Sequence, residues 1–172
     1  MNKIFLILVL ILSSNLYAGE LYTEKNVDIS QYVGKWYSHY ALPQTFTRKC
    51  LAQAAEYEII NEKTISVHNI CFKKKGTQAI SGQAVVQNPG DNSKLTVTFN
   101  NFFTRLFRVK GDYNIIKLDS NYEFVLIGSK DRKSLWLMSR SEVEVPGYIK
   151  ESYLSFAREQ GFNTDKLVKS KF

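Results

Sequence analysis

The sequence has few of the residues that mark catalytic and metal sites. It contains two histidines and two cysteines among 172 residues, and none of them lies in a cluster with the spacing of a zinc site. No serine lies in a nucleophile-elbow context, and no glycine-rich loop precedes a helix. Alternation along the strands predicted below places both histidines, His39 and His68, on outward faces as surface residues. The sequence therefore predicts no catalytic residues, no metal site and no cofactor.

Long apolar runs and linker segments are also scarce. The apolar run at residues 4–12 is too short for a comfortable transmembrane helix. The chain has only three prolines, and no Gly/Ser- or Pro-rich segment divides it. We therefore expect a single domain over residues 19–172, which is long enough to bury about two-thirds of the surface that its unfolded chain exposes.

Residues 1–18 have the features of a secretory signal peptide. Lys3 provides a positive N-terminal region, the apolar run follows it, and residues 16–18 provide a candidate cleavage site before Gly19. No cysteine lies near this cleavage site, where a lipid anchor would be attached. We therefore expect an exported, soluble protein, periplasmic in a Gram-negative host.

Acidic residues are outnumbered by basic ones. The chain has 16 Asp and Glu against 23 Lys and Arg, and a formal net charge of +7. A basic balance is compatible with anionic partners of several kinds and selects none of them. The export signal argues against nucleic acid as the partner.

A long series of strand-like segments makes up most of the chain. Apolar and polar residues alternate with a period of two, and turn signals such as residues 88–91 separate the segments. A helical turn capped by Asp28 precedes the first strand. A helix is predicted between Pro146 and Gly161, because proline fits the first turn and glycine fits the stop after the last turn. The predicted strands are residues 35–41, 51–60, 64–72, 78–87, 94–100, 112–118, 122–129 and 134–140.

Eight strands with short connections, each apolar on one face, predict an all-β fold. The expected architecture is an eight-stranded up-and-down antiparallel barrel with a C-terminal α-helix packed on the outside. In such a barrel the first and last strands are neighbours. Gly34 lies where the helical turn leads into the first strand, and Trp36 is the first inward side chain of that strand. Arg140 ends the last strand. We therefore expect the guanidinium of Arg140 to lie on the indole of Trp36 and to seal one end.

These features together resemble the lipocalin family, and most closely its bacterial branch. The resemblance covers roughly residues 28–167 and rests on three motifs in the order and spacing of that family, at residues 34–37, 118–122 and 135–140. The middle motif departs from the family pattern, because the chain reads Leu-Asp-Ser where many lipocalins have Thr-Asp-Tyr. That motif is matched only through Asp119 and Tyr122.

Cys50 and Cys71 are candidates for a structural disulfide. They flank a predicted hairpin, and export would place them in an oxidising compartment. Closing a loop of that length stabilises a fold by about 3 kcal/mol in the chain-entropy model. A simple hairpin register about residues 61–63 does not place the two cysteines opposite each other, so we expect a bulge in the strand at residues 51–60.

The predicted inner face of the barrel is mainly apolar and includes several small residues. Small side chains leave room for a cavity, whereas a filled core needs bulk. The alternative is that tyrosines and phenylalanines fill this space as an ordinary packed core. Alternation also places Ser38 on this face. The candidate ligand-binding residues are Tyr40, Ala55, Tyr57, Val67, Asn69, Ile80, Ala84, Val97, Phe99, Tyr113, Ile115, Val125, Ile127 and Trp136.

The end of the barrel opposite Trp36 and Arg140 is predicted to be basic. Alternate loops share an end in an up-and-down barrel, and the four loops at this end carry many lysines and arginines against one acid, Asp131. Such a mouth suits an anionic amphiphile or a transient contact with an anionic membrane surface. The alternative is that lysine-rich loops merely keep the loop tips soluble. The candidate mouth residues are Phe46, Lys73, Lys74, Phe102, Phe103, Arg105, Phe107 and Arg108.

The resemblance implies a non-catalytic carrier that binds a fatty acid, a lysophospholipid or a similar small hydrophobic ligand inside the barrel. The residues by themselves indicate only an apolar cavity with a basic mouth. Two alternatives remain open. One is a module that docks a protein partner or a homodimer mate through the phenylalanine- and arginine-rich loop at residues 101–110. The other is a lipocalin-type enzyme acting on a lipid.

Overall fold

The computed structural model describes residues 19–99 and 110–172, and its central element is an antiparallel sheet that closes on itself. Eight strands of this sheet form the closed barrel: β1 (Gly34–Ala41), β2 (Ala52–Asn61), β3 (Thr64–Phe72), β4 (Thr77–Val86), β5 (Lys94–Phe99), β6 (Lys110–Leu118), β7 (Phe124–Gly128) and β8 (Leu135–Ser139). β1 pairs with β2 along one edge and with β8 along the other, so the barrel is closed and each strand pairs with its sequence neighbours. The predicted fold is confirmed.

Two helices flank the barrel strands in the sequence. α1 (Ile29–Tyr32) precedes β1, and the carboxylate of its N-cap, Asp28, accepts a hydrogen bond from the backbone N–H of Ser30 at 2.9 Å. α2 (Gly147–Glu159) follows β8. Pro146 is the N-cap of α2, and Gly161 follows the helix with a φ of +88°. The local signals that predicted both helices therefore lie at their observed ends.

Alternate residues of the strands pack into two separate apolar clusters. Along β7, Val125 and Ile127 belong to the cluster inside the barrel, whereas Leu126 belongs to the cluster outside it. Tyr153 and Ala157 of α2 pack in the outer cluster. Each fully buried aliphatic or aromatic side chain contributes about 1.5–3 kcal/mol, so the outer cluster fixes α2 against the barrel. The predicted position of the helix on the outside is confirmed.

One extra residue in β1 changes the direction in which its last side chains point. The register pairs Ser38 with Met138 and Tyr40 with Leu137, so His39 is a bulge residue without a partner in β8. Tyr40 therefore packs in the outer cluster, and its hydroxyl donates to Glu144 at 3.2 Å. The prediction that Tyr40 lies on the inner face is wrong, because strict alternation does not anticipate a bulge.

The C-terminal segment adds a ninth strand that the sequence analysis did not predict. β9 (Val168–Lys169) pairs antiparallel with the end of β1. Beyond it, the ring of Phe172 lies 5.6 Å from the ring of Tyr37, 5.7 Å from that of His39 and 6.0 Å from that of Phe72. The last residues of the chain therefore cover the outer side of β1.

This cover buries one of the two histidines. His39 points outward as predicted, but it is only 4% exposed, and its Nε2 lies 2.9 Å from both Ser139 Oγ and the carbonyl oxygen of Ser141. The prediction of a surface position for His39 is therefore wrong. His68 remains partly exposed, with Nδ1 2.9 Å from Ser81 Oγ.

Cys50 and Cys71 form the predicted disulfide, with their Cα atoms 5.2 Å apart. The β2–β3 register shifts by one residue between Ile59 and Asn61, so the strand contains the expected bulge. The two cysteines are nevertheless not opposite each other, since Cys71 pairs with Gln53. Cys50 precedes β2 and reaches Cys71 from the turn before the strand.

The buried His39 predicts a pH dependence of stability. Burial lowers the pKa of His39 below its ordinary value of 6.5, although its hydrogen bond to Ser141 and the nearby Glu144 oppose this; Lys169 adds to the lowering. The unfolded chain regains the ordinary pKa and therefore binds more protons at mildly acidic pH. We expect the free energy of unfolding to be fully retained above 6.5 and to fall as the pH drops through 6.5 toward the folded pKa.

Urea unfolding at a series of pH values across this range measures the effect. His39→Gln should flatten the slope, because glutamine does not titrate. The matched control is His68→Gln, which should leave the slope unchanged. A slope that persists in His39→Gln would show that another group is responsible.

Candidate functional site

Trp36 and Arg140 close one end of the barrel. Trp36 is fully buried, and its indole N–H donates to the carbonyl oxygen of Tyr32 at 2.8 Å. The guanidinium carbon of Arg140 lies 3.8 Å from the centre of the Trp36 ring. Gly34 has a φ of +96°, and a Cβ at this position would lie 3.3 Å from Nη1 of Arg140. Glycine therefore permits both the turn into β1 and the close approach of the guanidinium.

Hydrogen bonds hold Arg140 in this position. Its guanidinium donates to the backbone carbonyl oxygens of Gln31, Tyr32, Val33, Lys35 and Tyr122 at distances of 2.6–3.2 Å. Burial lowers the pKa of Arg140, but a guanidinium stays protonated in proteins. The planar fork therefore ties α1, the start of β1 and the turn before β7 together.

Asp119 and Tyr122 lie in that turn, between β6 and β7. The Asp119 carboxylate accepts hydrogen bonds from the backbone N–H groups of Asn121, Glu123 and Phe124 at 2.6–3.0 Å. The hydroxyl of Tyr122 accepts a hydrogen bond from the backbone N–H of Asp28 at 2.9 Å. The two residues that match the middle motif therefore shape the turn and fasten it to the residue that caps α1.

Three tyrosines lie inside the barrel next to this floor. The hydroxyl oxygen of Tyr113 is 2.5 Å from that of Tyr32 and 3.0 Å from that of Tyr57. The Tyr32 ring lies 5.3 Å from the Trp36 ring and 5.8 Å from the Tyr57 ring. Burial raises the pKa of Tyr57 to about 12 and raises the pKa values of Tyr32 and Tyr113 as well. All three hydroxyls are therefore protonated at neutral pH.

Most of the predicted ligand-binding residues line one continuous inner wall. Asn69 and Ile80 lie opposite each other on β3 and β4 and are partly buried. Tyr40 is the exception, because it packs outside the barrel. The residues that belong to the inner cluster or pack against it are Ala55, Tyr57, Val67, Ala84, Val97, Phe99, Tyr113, Ile115, Val125, Ile127 and Trp136.

Two polar residues of this wall were not assigned a role from the sequence. Ser38 pairs with Met138 of the inner cluster and is fully buried. Gln53 lies directly opposite Ser38 on β2, two residues before the inward Ala55, so alternation places it on the inner face. The alternation that identified Ala55 and Tyr57 was the available signal for Gln53.

The end of the barrel opposite Trp36 and Arg140 carries the described part of the predicted mouth. Phe46 lies on a 3-10 turn (Thr45–Thr47) between β1 and β2 and is 76% exposed. Lys74 is exposed, whereas Lys73 is partly buried and donates a hydrogen bond to the side-chain carbonyl of Gln78. The remaining candidate mouth residues, Phe102, Phe103, Arg105, Phe107 and Arg108, lie outside the described residues.

One basic residue near the mouth is engaged in holding the fold. The guanidinium of Arg132 donates to the carbonyl oxygens of Gly19 at 2.6 Å and Gln160 at 3.1 Å, and also to that of Lys130. It therefore links the β7–β8 loop to the N-terminal segment and to the end of α2. Lys133 pairs with Asp131 at 3.8 Å, but both side chains are mostly exposed, so this ion pair contributes little.

Comparisons with known proteins agree with this architecture. The Lipocalin-like domain family model matches residues 27–171. The chain is 29% identical over 144 residues to the outer membrane lipoprotein Blc of Vibrio cholerae, covering 82% of this chain and 80% of the relative. It is 30% identical over 155 residues to temperature-induced lipocalin-1 of Arabidopsis thaliana, covering 88% and 82%. The solved structure of insecticyanin from Manduca sexta superposes with a TM-score of 0.69 at 18% identity, covering 91% of this chain and 86% of that one.

A closed barrel with an apolar inner wall and one sealed end defines a small-ligand-binding β-barrel protein. The chain belongs to the lipocalin-like domain family. Membership of this family supports the binding of a small hydrophobic ligand. Members of the family are generally non-enzymatic binding proteins. Within residues 19–99 and 110–172, no helix is long and apolar enough to cross a membrane.

The contacts of Arg140 predict that its replacement weakens the sealed end and destabilises the fold. Arg140→Lys keeps the charge but loses the planar fork that reaches five carbonyl groups. We expect the free energy of unfolding to fall by about 2–4 kcal/mol, since several charge-assisted hydrogen bonds are lost. Chemical denaturation measures this change.

Arg158→Lys is the matched control for that experiment. Arg158 lies on α2, where its half-exposed guanidinium pairs with Glu151 at 3.5 Å. A surface pair of this kind contributes about 0–1 kcal/mol, so the control should be nearly neutral. Equal effects of the two replacements would contradict a special role for Arg140.

Proposed function

We propose that this protein is a non-catalytic carrier that binds a fatty acid, a lysophospholipid or a similar amphiphile inside its barrel. The observation that carries the proposal is the inner wall. No inner-facing position of the described strands holds a charged residue, and one end of the wall is closed by Trp36 and Arg140. We therefore assign the entry of the ligand to the opposite end of the barrel.

Apolar burial would supply most of the affinity. Each CH₂ group removed from water contributes about 0.8 kcal/mol, so an acyl chain against this wall gains several kcal/mol. Small side chains such as Ala55 and Ala84 supply room at two places in the wall. The wall therefore favours a flexible tail that can follow its contour.

The buried tyrosines would offer a polar contact near the floor. The three tyrosines have three hydroxyl hydrogens, but only two hydrogen bonds join their hydroxyls, one between Tyr113 and Tyr32 and one between Tyr113 and Tyr57. One of the three O–H groups therefore remains able to donate to a ligand oxygen. Their raised pKa values keep this donor protonated well above neutral pH.

The basic residues of the open end support the preference for anionic headgroups. Arg48, Lys49, Lys74, Lys75 and Lys110 are exposed in the loops of that end or where they meet a strand. A cluster of one sign raises the local concentration of anions and their rate of encounter. Together with the exposed ring of Phe46, it also suits a transient landing on an anionic membrane surface.

We further propose that the protein acts after export. Residues 1–18 are proposed to be a signal peptide and residues 19–172 a single domain; residues 1–18 lie outside the described part of the chain. Relatives named as outer membrane lipoproteins support export. The soluble, periplasmic location rests on the absence of a cysteine next to the proposed cleavage site.

Filling the interior should abolish binding. Val97→Trp and Ala84→Trp each place an indole on the inner wall, at positions that are 6% and 2% exposed. Native mass spectrometry of protein exported to a periplasm and purified without detergent should show bound lipid in the wild type. We expect a loss of at least about tenfold in occupancy in either variant, because overpacking removes the space for a tail.

Val85→Trp is the matched control for these variants. Val85 is the neighbour of Ala84 on β4, points outward and is 40% exposed. It should keep the lipid, and far-UV circular dichroism should show that all three variants are folded. A lipid-free wild type that takes up nothing from a mixed lipid panel would reject the carrier and favour docking through residues 101–110.

The basic mouth predicts a salt-dependent uptake of anions. Lys74→Glu should slow the association of a pyrene-labelled fatty acid by roughly two- to five-fold at low ionic strength, and salt should remove the difference. Stopped-flow fluorescence measures the rate. The control is Lys63→Glu, which reverses an exposed charge in the β2–β3 hairpin at the closed end. Equal rates for the two variants, or uptake by the wild type that does not respond to salt, would reject steering by the mouth.

A further inference from the structure

Ser38 is unusual among the buried polar groups of the barrel. It is fully buried, and its hydroxyl is the only buried side-chain polar atom in residues 19–99 and 110–172 that lacks a hydrogen-bond partner. Burying a hydroxyl without a partner costs free energy, so such groups are uncommon in folded proteins. The hydroxyls of Ser93, Ser129 and Ser139, which are also buried, all make hydrogen bonds.

The strand register aims this hydroxyl into the interior. Ser38 lies opposite Met138 of the inner cluster and two residues after Trp36, which forms the floor. The bulge at His39 comes directly after Ser38, so Ser38 is the last residue of β1 that follows the alternation set by Trp36. At about 3.3 Å per residue, Ser38 lies about 7 Å along the strand from the floor, on the side of the mouth.

Two further polar side chains extend this position across the wall. Gln53 of β2 lies directly opposite Ser38, and Asn69 of β3 pairs with Ala55, two residues along from Gln53. Opposite and diagonal positions on one face of neighbouring strands lie within reach of each other, so Gln53 neighbours both Ser38 and Asn69. The side chains of Gln53 and Asn69 make no hydrogen bond to any residue of the described part of the chain. We call Ser38, Gln53 and Asn69 the polar row.

The inner wall formed by β5 to β8 is less polar than the wall that carries the polar row. The inner-facing residues of β5 to β8 are mainly apolar, and Val97, Ile115, Val125 and Ile127 are buried. The hydroxyl of Tyr113 on β6 contacts the hydroxyls of Tyr32 and Tyr57 near the floor. A ligand inside the barrel would therefore contact an apolar wall on one side and the polar row on the other.

The chemistry of the polar row indicates what it can bind. A serine hydroxyl and two side-chain amides offer both donors and acceptors but no charge. A carboxylate or phosphate placed here would lose its hydration without a counter-charge, which is costly. An uncharged oxygen group, such as an ester carbonyl or a hydroxyl, would exchange its hydrogen bonds to water for hydrogen bonds to the polar row. Because it carries no charge, it would not incur that cost.

We propose that the polar row is a specificity site that hydrogen-bonds an uncharged carbonyl or hydroxyl group of the bound amphiphile. The inference rests on the proposed carrier function and adds a point of polar recognition inside the barrel, separate from the basic mouth and from the tyrosine hydroxyls near the floor. Ligands with an ester or hydroxyl next to the tail are therefore favoured over ligands that have only a tail and a terminal charge.

Ser38→Ala tests this role with two measurements, the stability of the ligand-free protein and its affinity for a ligand. Affinity should fall while stability does not. Removing an unpaired hydroxyl should leave the thermal midpoint of the ligand-free protein unchanged or raise it. The dissociation constant for 1-monopalmitoylglycerol should increase by about two- to ten-fold, the value of one hydrogen bond. Gln53→Leu, which keeps the approximate size of the side chain, should weaken the same probe by a similar factor.

Ser139→Ala is the matched control. Ser139 lies on β8 next to Met138, but its hydroxyl is outside the barrel and hydrogen-bonds to His39 and to the carbonyl oxygen of Ser141. This variant should lower the thermal midpoint and leave the dissociation constant unchanged. A structural role for Ser38 would instead make the two serine variants behave alike.

Sodium palmitate as a second probe separates the failure of the polar row from the failure of the carrier. Binding of both probes by the wild type, with equal affinities in Ser38→Ala, would overturn the polar row and leave the carrier intact. Binding of palmitate without binding of 1-monopalmitoylglycerol would do the same. Binding of neither probe by the folded wild type would overturn both proposals.

Discussion

The structure depends on the pairing of β1 with both β2 and β8. This double pairing removes the free strand edges that an open sheet would expose, and it separates an interior from an exterior. Arg140 follows β8, yet its hydrogen bonds go mainly to carbonyl groups on either side of the start of β1. The seal at the closed end therefore forms only when the first and last strands are neighbours. The interior and its floor both follow from that one closure.

Two bulges distribute side chains between the interior and the outer cluster. In β1 the extra residue His39 lets Ser38 point inward while Tyr40 contacts the exterior. In β6 the register shifts between Ile115 and Lys117, so Lys117 lies on the outer side together with Ile116 of the outer cluster. The Nζ of Lys117 then lies 5.2 Å from the ring of Tyr153 on α2. A strict period of two could not serve both the ligand wall and the surface under the helix.

The placement of polar groups connects the fold to its proposed role. Each tyrosine hydroxyl near the floor contacts another tyrosine hydroxyl, and Arg140 donates to backbone carbonyl groups. Ser38 has no such partner, although it is fully buried. The charged side chains of the described strands lie outside the barrel or toward its ends, since a charge on the inner wall would lose hydration without compensation. The interior is therefore apolar, with a few uncharged hydrogen-bonding groups.

The sequence by itself determined the eight barrel strands, helices α1 and α2, the disulfide and the face on which most wall residues lie. These features depend on local signals: alternation along a strand, capping residues at a helix end, and two cysteines flanking a hairpin. It also indicated that Arg140 would meet Trp36, because closure makes the first and last strands neighbours. Only the tertiary structure decided that Tyr40 lies outside, that Phe172 buries His39, and that Ser38 faces Gln53 without a hydrogen bond. Those outcomes depend on bulges and on strand register, which are set by packing between residues far apart in the chain.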